Sequence, residues 1–531
     1  MNLLIDPLLR IETPQGMTAL NLPALLEALG QDRVDSLPGL QRHQVDPFHV
    51  FLCYLAGAVL VRQGQTEPVQ PEAFWRDGIR ALTGQPDDAA WTLVVDDVTR
   101  PAFMQAPLES PEVLTRDFKP RAMMPDELDL LPTANDHDIK ISRMAHSIPE
   151  DWIYTLISLQ TMSGYYGKGN YGIARMSSRS SSRPLVTLLS SNRWGQHFIR
   201  DVHLLLHERP QLLAGPWGYQ DNGIVLIWLS HWNRRSSLSL KELDPFFIEI
   251  ARAVRLREKA GNINAWLAIT ETDRLNATEA KGNLGDPWIP IKHEDSSALA
   301  VPRAGLTPSL LRDLLFMDGY DGAAMQRPIA LDQGKTCYFH VSVLVSYVDN
   351  GKRKTGGIKS VSLPIPSKAF RSFFQRDTEF DRLAKLSKLL LNDSNKLQNQ
   401  VLLPALYNFF EGGPDRPKDE ARKQDKAERK RQIKTWVNIW IKQFSEAWHR
   451  EYFNYLWRAL DETDDEVVRR NWVQALKKQA EHVLERAIAS APGHSGRRLR
   501  SITRAESMFR GAFYNQFSDL LKEQQDVHTP S

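Results

Sequence analysis

Val361-Ser-Leu-Pro-Ile-Pro366-Ser-Lys-Ala-Phe-Arg-Ser-Phe-Phe374 is the stretch at which the chain changes character. On its N-terminal side an alternating, β-branched run from Cys337 to Val348 meets the hairpin signal Asp349-Asn-Gly351. On its C-terminal side strand signals stop. Helical patterning then predicts helices over Ala369 to Leu391, Lys396 to Phe410, Ala421 to Leu460, Asp464 to Ala489 and Ser495 to Leu521. Asp415-Arg-Pro-Lys and Ser490-Ala-Pro-Gly-His-Ser-Gly496 interrupt the run, with Thr463 and Ser495 as candidate N-caps. The boundary therefore predicts an α+β chain. Residues 1–366 form a large, irregular mixed domain, and residues 367–531 form an antiparallel helical bundle of the four-helix type.

Upstream of the boundary, short runs and Pro/Gly turns alternate. Asn2 to Ile5, Trp91 to Val95, Ile224 to Trp228 and Trp266 to Thr270 read as strands; Pro47 to Arg62 and Pro71 to Leu82 read as helices. Downstream, Trp436, Ile439, Trp440, Phe444, Trp448, Tyr452 and Leu456 recur at three- and four-residue steps, an apolar stripe suited to bundle packing. Basic clusters flank it, at Arg416 to Lys434 and at Arg497, Arg498, Arg500 and Arg504, and together they suit a polyanion.

A chain of 531 residues with 42% hydrophobic content can bury two or three cores. Its net charge of +3 leaves any nucleic-acid binding to local patches. Cys53 and Cys337 are the only cysteines and form no CxxC, so neither a disulfide framework nor a thiolate zinc cluster is expected. The N-terminus lacks the pattern of a signal peptide, and Val50 to Val61 is too short an apolar run to span a bilayer. A cytoplasmic protein with no membrane partner follows as the expectation.

The strongest local anomaly is a window of 49 residues, Trp152 to Arg200, without one acidic side chain. Asp and Glu make up 64 of 531 residues, so about six would be expected there, and the blank predicts a positive surface. Within it lies Ser163-Gly-Tyr-Tyr-Gly-Lys-Gly-Asn-Tyr-Gly172, followed by the Ser/Arg-rich Ser177 to Arg183. Gly167-Lys-Gly169-Asn-Tyr-Gly172 matches the dinucleotide fingerprint GxGxxG. However, the preceding Ile153 to Met162 reads at least as well as a helix as it does as a strand, and the ribose-binding acid is missing, since its expected position falls near Asn192. Glycines that allow close approach, with interleaved tyrosines, suit an extended nucleic acid better. The Ser177 to Arg183 tail is expected to be mobile until nucleic acid arrives.

Catalytic signatures are sparse. The chain has no HExxH, no P-loop and no GxSxG elbow. Asp136-His137-Asp138, with His146 nearby, offers the His-Asp pair of metal-dependent phosphohydrolases and is the alternative reading, but it lies in an apparent loop. Lys292-His-Glu-Asp295 reads as a charged turn. No cofactor and no metal are expected.

Several pieces in order resemble the CasA family, the large subunits of the type I-E CRISPR surveillance complex Cascade. These are Asn2-Leu-Leu-Ile-Asp6, Pro101-Ala-Phe-Met-Gln105, the glycine loop Gly164 to Gly172, Phe316-Met-Asp-Gly-Tyr320 and the terminal bundle. The resemblance implies a non-enzymatic subunit that reads a protospacer-adjacent motif in duplex DNA, helps part the strands, and recruits a helicase-nuclease in trans. Its partners would be the CRISPR RNA, the backbone, small and guide 5′-end-binding subunits, and target double-stranded DNA. Carried over by position, Gly164, Gly167, Lys168, Gly169 and Asn170 would face the minor groove. Gly322, Ala323, Ala324 and Met325 would form a wedge turn, and Lys281 would reach into the groove. Asn135, His137 and Lys140 would touch guide RNA or a neighbouring subunit; Arg497, Arg498 and Arg500 are assigned to DNA from their charge. Some members carry Gln and Asn in the wedge, where this chain has Ala323, Ala324 and Met325, and the Cys-rich zinc element of some members is missing.

Overall fold

A computed structural model of the chain describes residues 1–130, 147–178, 181–349, 352–412, 423–490 and 496–522. It divides into two compact units: Met1–Leu306 with Asp313–Ser367, and Thr307–Arg312 with Lys368–Ser531.

The first unit is built around Val45–Arg62, an almost uniformly apolar helix. It is long and apolar enough to cross a membrane, yet 14 of its 18 residues are buried in this unit. A helix that is hydrophobic all round has to be covered on every side. Here the cover comes from the Glu72–Thr83, Pro149–Met162 and Trp194–Ala214 helices and the Leu243–Ile248 strand. Gly57 allows the close approach, since a Cβ there would stand 2.9 Å from Leu205 Cδ2 and 3.2 Å from the Phe246 ring. Trp75, Trp91, Trp152, Trp228 and Trp288 complete the core.

The sheets are small and mostly antiparallel, as befits an α+β fold. Lys119–Ala122, Asn262–Ala268 and Ala253–Lys259 form one; Leu185–Leu189, Cys337–Asp349 and Lys352–Ile365 form another. The last two strands make the expected hairpin, paired from Cys337↔Ile365 to Asp349↔Lys352. Its register shifts between Val345 and Ser346, beside Gly357 at φ +78°, a bulge that glycine permits. Two expected strands are not strands. Asn2 to Ile5 is a turn, because Asn2 Oδ1 accepts from the Leu4 N–H and Asp6 accepts the Asn2 N–H. Of Trp91 to Val95, only Thr92 makes a bridge, to Asn2. Ile224–Leu226 is a strand, but the chain then tightens into a 3-10 turn at Ile227–Leu229.

The second unit is helical. The expected helix over Ala369 to Leu391 is two, Ser367–Gln375 and Thr378–Lys396. Arg376 takes φ +49°, and Asp377 caps the second helix by accepting from the Glu379 and Phe380 N–H groups. A π-turn, Leu397–Leu402, leads into Leu403–Glu411. Lys423–Arg458, Asp465–Ser490 and Gly496–Lys522 follow. The cap of Asp465–Ser490 is Asp464, not Thr463: its Oδ1 accepts the Glu466 N–H at 2.9 Å. Leu386, Leu390, Val401, Val437, Phe444, Tyr452, Trp472, Phe509 and Phe513 form the core. Tyr452 donates to Ser387 O and Trp472 to Leu390 O. The apolar stripe is wider than the core it serves, so Trp436 and Ile439 are 47% and 49% exposed, while Ile433 and Val437 take the inward positions.

Candidate nucleic-acid interface

The glycine loop begins where the Pro149–Met162 helix ends. It is closed by its own backbone: Ile173 N–H donates to Ser163 O, Tyr166 N–H to Asn170 O, and Asn170 N–H to Gly167 O. Gly167 and Gly169 take φ +109° and +86°, conformations that side chains disfavour. At Gly169 there is also no room, since a Cβ would stand 2.7 Å from Ile269 Cβ. Gly164 and Gly172 press their backbones together. Arg252 ties the neck by donating to the Gly164 and Tyr171 carbonyls. The tip carries the exposed Tyr166 and Lys168, with Asn170 half-buried.

Past the neck, the described residues of the acid-free window do not form the positive surface that its composition predicts. Arg175 and Arg183 are buried. Arg183 Nη2 donates to Asp286 Oδ2 at 2.5 Å; Arg175 lies 3.2 Å from the same oxygen and 3.3 Å from Glu249, and covers the Phe247 ring at 3.7 Å. Burial pushes the Glu249 carboxyl up, and Arg175 opposes the shift. Arg200 is buried between Asp201 and Asp332, and Arg193 bridges Asp32 and Asp35. The acids missing from the window arrive from elsewhere in the chain, because burying an arginine without an anion is too costly. The Ser177 to Arg183 segment likewise ends in the core, with Ser181, Ser182 and Arg183 buried. This corrects the expectation of a mobile tail at those three positions.

Asp286 organises more than its arginines. The segment around it brings the other expected contact regions to the glycine loop. Lys281 takes φ +46°, followed by Gly282 at +78°, where a Cβ would stand 2.5 Å from the Met176 carbonyl carbon. Beyond Asp286, Pro287 O accepts the Met325 N–H, and Ile291 and Lys292 pair with Asp321 and Tyr320. The Lys281 turn thus packs on the segment that follows the glycine loop, and the 322–326 turn is tied to the segment that follows Asp286. Lys281 is 53% exposed and 3.7 Å from Asp295, at the edge of a cavity of about 680 Å³ that Trp217, Asn276 and Asn283 also line. Acids are frequent here: Lys292 meets Glu294 and His293 meets Asp321.

The 322–326 turn is held from beneath. Arg200 donates to the Met325 and Arg327 carbonyls at 3.2 and 2.8 Å, and Gln326 donates to Leu314 O. Ala323 and Met325 are core residues, 1% and 0% exposed, so the aliphatic wedge expected from Ala323-Ala324-Met325 is reduced to the half-buried Gly322 and Ala324. Sequence reasoning missed Asp286, Arg252 and the clamping role of Arg200. Nothing in their local spacing distinguishes them from surface charges.

In the second unit, Arg498 donates to Ile488 O and is half-buried, and Arg500 is exposed, both on the Gly496–Lys522 helix. Arg497 lies on the same helix, but its side chain is outside the described residues. So are Asn135, His137 and Lys140, and the alternative Asp136-His137-Asp138.

No protein-family model matches the chain, and no curated protein does. Solved structures do. CasA of Thermus thermophilus superposes with a TM-score of 0.57 at 14% identity, covering 97% of this chain and 99% of that one. Cse1 of Acidimicrobium ferrooxidans gives 0.58 at 12% over 98% and 99%, and Cse1 of Thermobifida fusca 0.58 at 12% over 98% of each. The chain therefore has the CasA/Cse1 fold over nearly its whole length.

Proposed function

We propose that this chain is the non-catalytic large subunit of a type I-E CRISPR surveillance complex. In this reading it meets the flanking motif of target duplex DNA through the minor groove, helps open the strands for guide RNA, and presents a surface to a helicase-nuclease acting in trans. The observation that carries the proposal is the full-length fold likeness to CasA and Cse1 structures. Locally the reading takes a strip from the glycine loop through Lys281 to the half-buried Gly322 and Ala324 as the DNA-facing surface. The minor groove offers a degenerate code, so a reader there needs close backbone approach and a few cations rather than a recognition helix. A self-bonded glycine turn with Lys168 at its tip provides that. Specificity would rest mainly on guide pairing.

The test is duplex capture by the reconstituted complex. Lys168→Glu and Ala324→Asp are expected to weaken motif-dependent capture at least about tenfold, a change of about 1.4 kcal/mol, while leaving complex assembly on guide RNA intact. Normal capture by both variants would refute the site. Absence of co-assembly with guide RNA and the other subunits would refute the function.

A further inference from the structure

Two core helices of the first unit each carry a pair of metal-ligand side chains four residues apart, on facing sides. His49 and Cys53 belong to Val45–Arg62, and His197 and Asp201 to Trp194–Ala214. A spacing of four puts both members of a pair on one helix face. His49 Nε2 and His197 Nε2 each lie 3.0 Å from Asp201 Oδ2, and Cys53 Sγ lies 3.5 Å from His49 Nε2. The donor atoms of His49, Cys53 and Asp201 all fall within 4.8 Å of one another, and all three residues are buried.

We propose that these four side chains form a structural site for a zinc-like divalent transition metal, clamping the two helices together. Around a tetrahedral zinc, metal–ligand lengths of about 2.0 to 2.3 Å put neighbouring N and O donors roughly 3.3 Å apart and N and S donors roughly 3.6 Å apart. The separations of His49 from Asp201 and from Cys53 are close to these, whereas His197 approaches Asp201 but stands outside the mutual group, so it has to swing inward to become the fourth ligand. Hydrogen bonding accounts for His49 Nε2, 3.0 Å from Asp201 Oδ2, but leaves His197 Nε2 buried at the same oxygen without an aligned bond. The imidazoles stack with centroids 3.8 Å apart and planes 10° from parallel, so ligation requires them to splay until both Nε2 lone pairs meet between Oδ2 and Sγ.

Charge fits as well. Arg200 donates to Asp201 Oδ1 and is held in turn by Asp332, so the cluster of one arginine and two carboxylates carries a single negative charge. A dication with a Cys53 thiolate, the thiol proton passing to solvent, brings the buried cluster to neutrality. The donors are imidazole, thiolate and carboxylate, which select zinc or cobalt over magnesium or calcium. Arg200 orients the ligating carboxylate from outside the site. A cavity of about 220 Å³ lined by Asp46, His49, Arg193, Trp194 and His197 supplies the entry path. Because Arg200 also holds the Met325 and Arg327 carbonyls, the metal would stiffen the base of the 322–326 turn.

The test uses the full chain with zinc and then cobalt(II) as probes. The wild type is expected to hold one zinc per chain by elemental analysis. Cobalt(II) should give tetrahedral d–d bands with a thiolate charge-transfer band. Cys53→Ser should abolish the charge-transfer band, His197→Gln should weaken cobalt binding at least about 100-fold, and Cys337→Ser should change neither. A chelator should lower the Tm of the wild type and not that of Cys53→Ser, which separates metal loss from misfolding. A wild type that neither retains zinc nor gives a tetrahedral cobalt spectrum overturns the proposal, as does a charge-transfer band that survives Cys53→Ser.

Discussion

Arg183 and Asp286 are both buried and share a hydrogen bond of 2.5 Å, so removing either partner strands a charge where water cannot reach it. Arg183→Ala is expected to destabilise the first unit by about 3 to 5 kcal/mol, read from the urea midpoint. The loss should fall at the low end, because Arg175 still faces Asp286. Lys168→Ala, at an exposed tip, should stay within about 0.5 kcal/mol of wild type. The contrast separates two lysine-or-arginine positions that look alike in the sequence. A stretch free of acids is a statement about neighbours along the chain, whereas charge neutralisation acts through space. Asp286 and Glu249 lie far outside the window yet set the fate of Arg175 and Arg183 within it. The glycines were the legible part, since Gly167 and Gly169 occupy backbone conformations that only the residue type had to announce.

Long helices were readable because their signals repeat. Val45–Arg62, Glu72–Thr83 and Asp465–Ser490 lie within a residue or two of their expected limits. Short strands carry too few residues for a period to show, and local side-chain bonds decide them, as Asn2 and Asp6 do at the N-terminus. Even a well-read helix leaves its inward face to tertiary contacts, which is why Trp436 is exposed and Val437 buried. On the same Lys423–Arg458 helix, burial holds the His449 imidazole below its usual range, with Glu446 opposing the shift. The folded form therefore binds a proton less readily than the unfolded chain, whose histidine titrates near about 6.5. Stability from this residue is fully present above about pH 6.5 and is lost as the pH falls through the lower folded value. The urea midpoint of the second unit's transition should drop between about pH 7.5 and pH 5, and His449→Gln should flatten that fall. An unchanged slope in the variant would remove His449 from the account.

At the scale of the whole molecule, a net charge of +3 on 531 residues gives no strong long-range field, so a polyanion must be held by individual contacts. Among the described residues, Arg175 and Arg183 are spent on internal acids and Arg252 on loop carbonyls, which leaves Lys168 and Lys281 as the exposed lysines of the proposed strip. Each phosphate contact adds about 0.9 to the slope of log affinity against log salt on duplex DNA. In the proposed complex the other subunits would contribute contacts of their own, but those cancel when variant and wild type are compared. Lys168→Ala is therefore expected to make the salt dependence shallower by about 0.9. Lys281→Ala should change it less, because Asp295 stands 3.7 Å from its ammonium and already offsets part of its charge. Asp295→Asn, which frees Lys281, should steepen the dependence and raise affinity at low salt. Titrating labelled duplex at several ionic strengths reads all three slopes. If Lys168→Ala leaves the slope unchanged, the tip of the glycine loop does not touch the DNA backbone, and the strip must bind through Lys281 and its cavity alone.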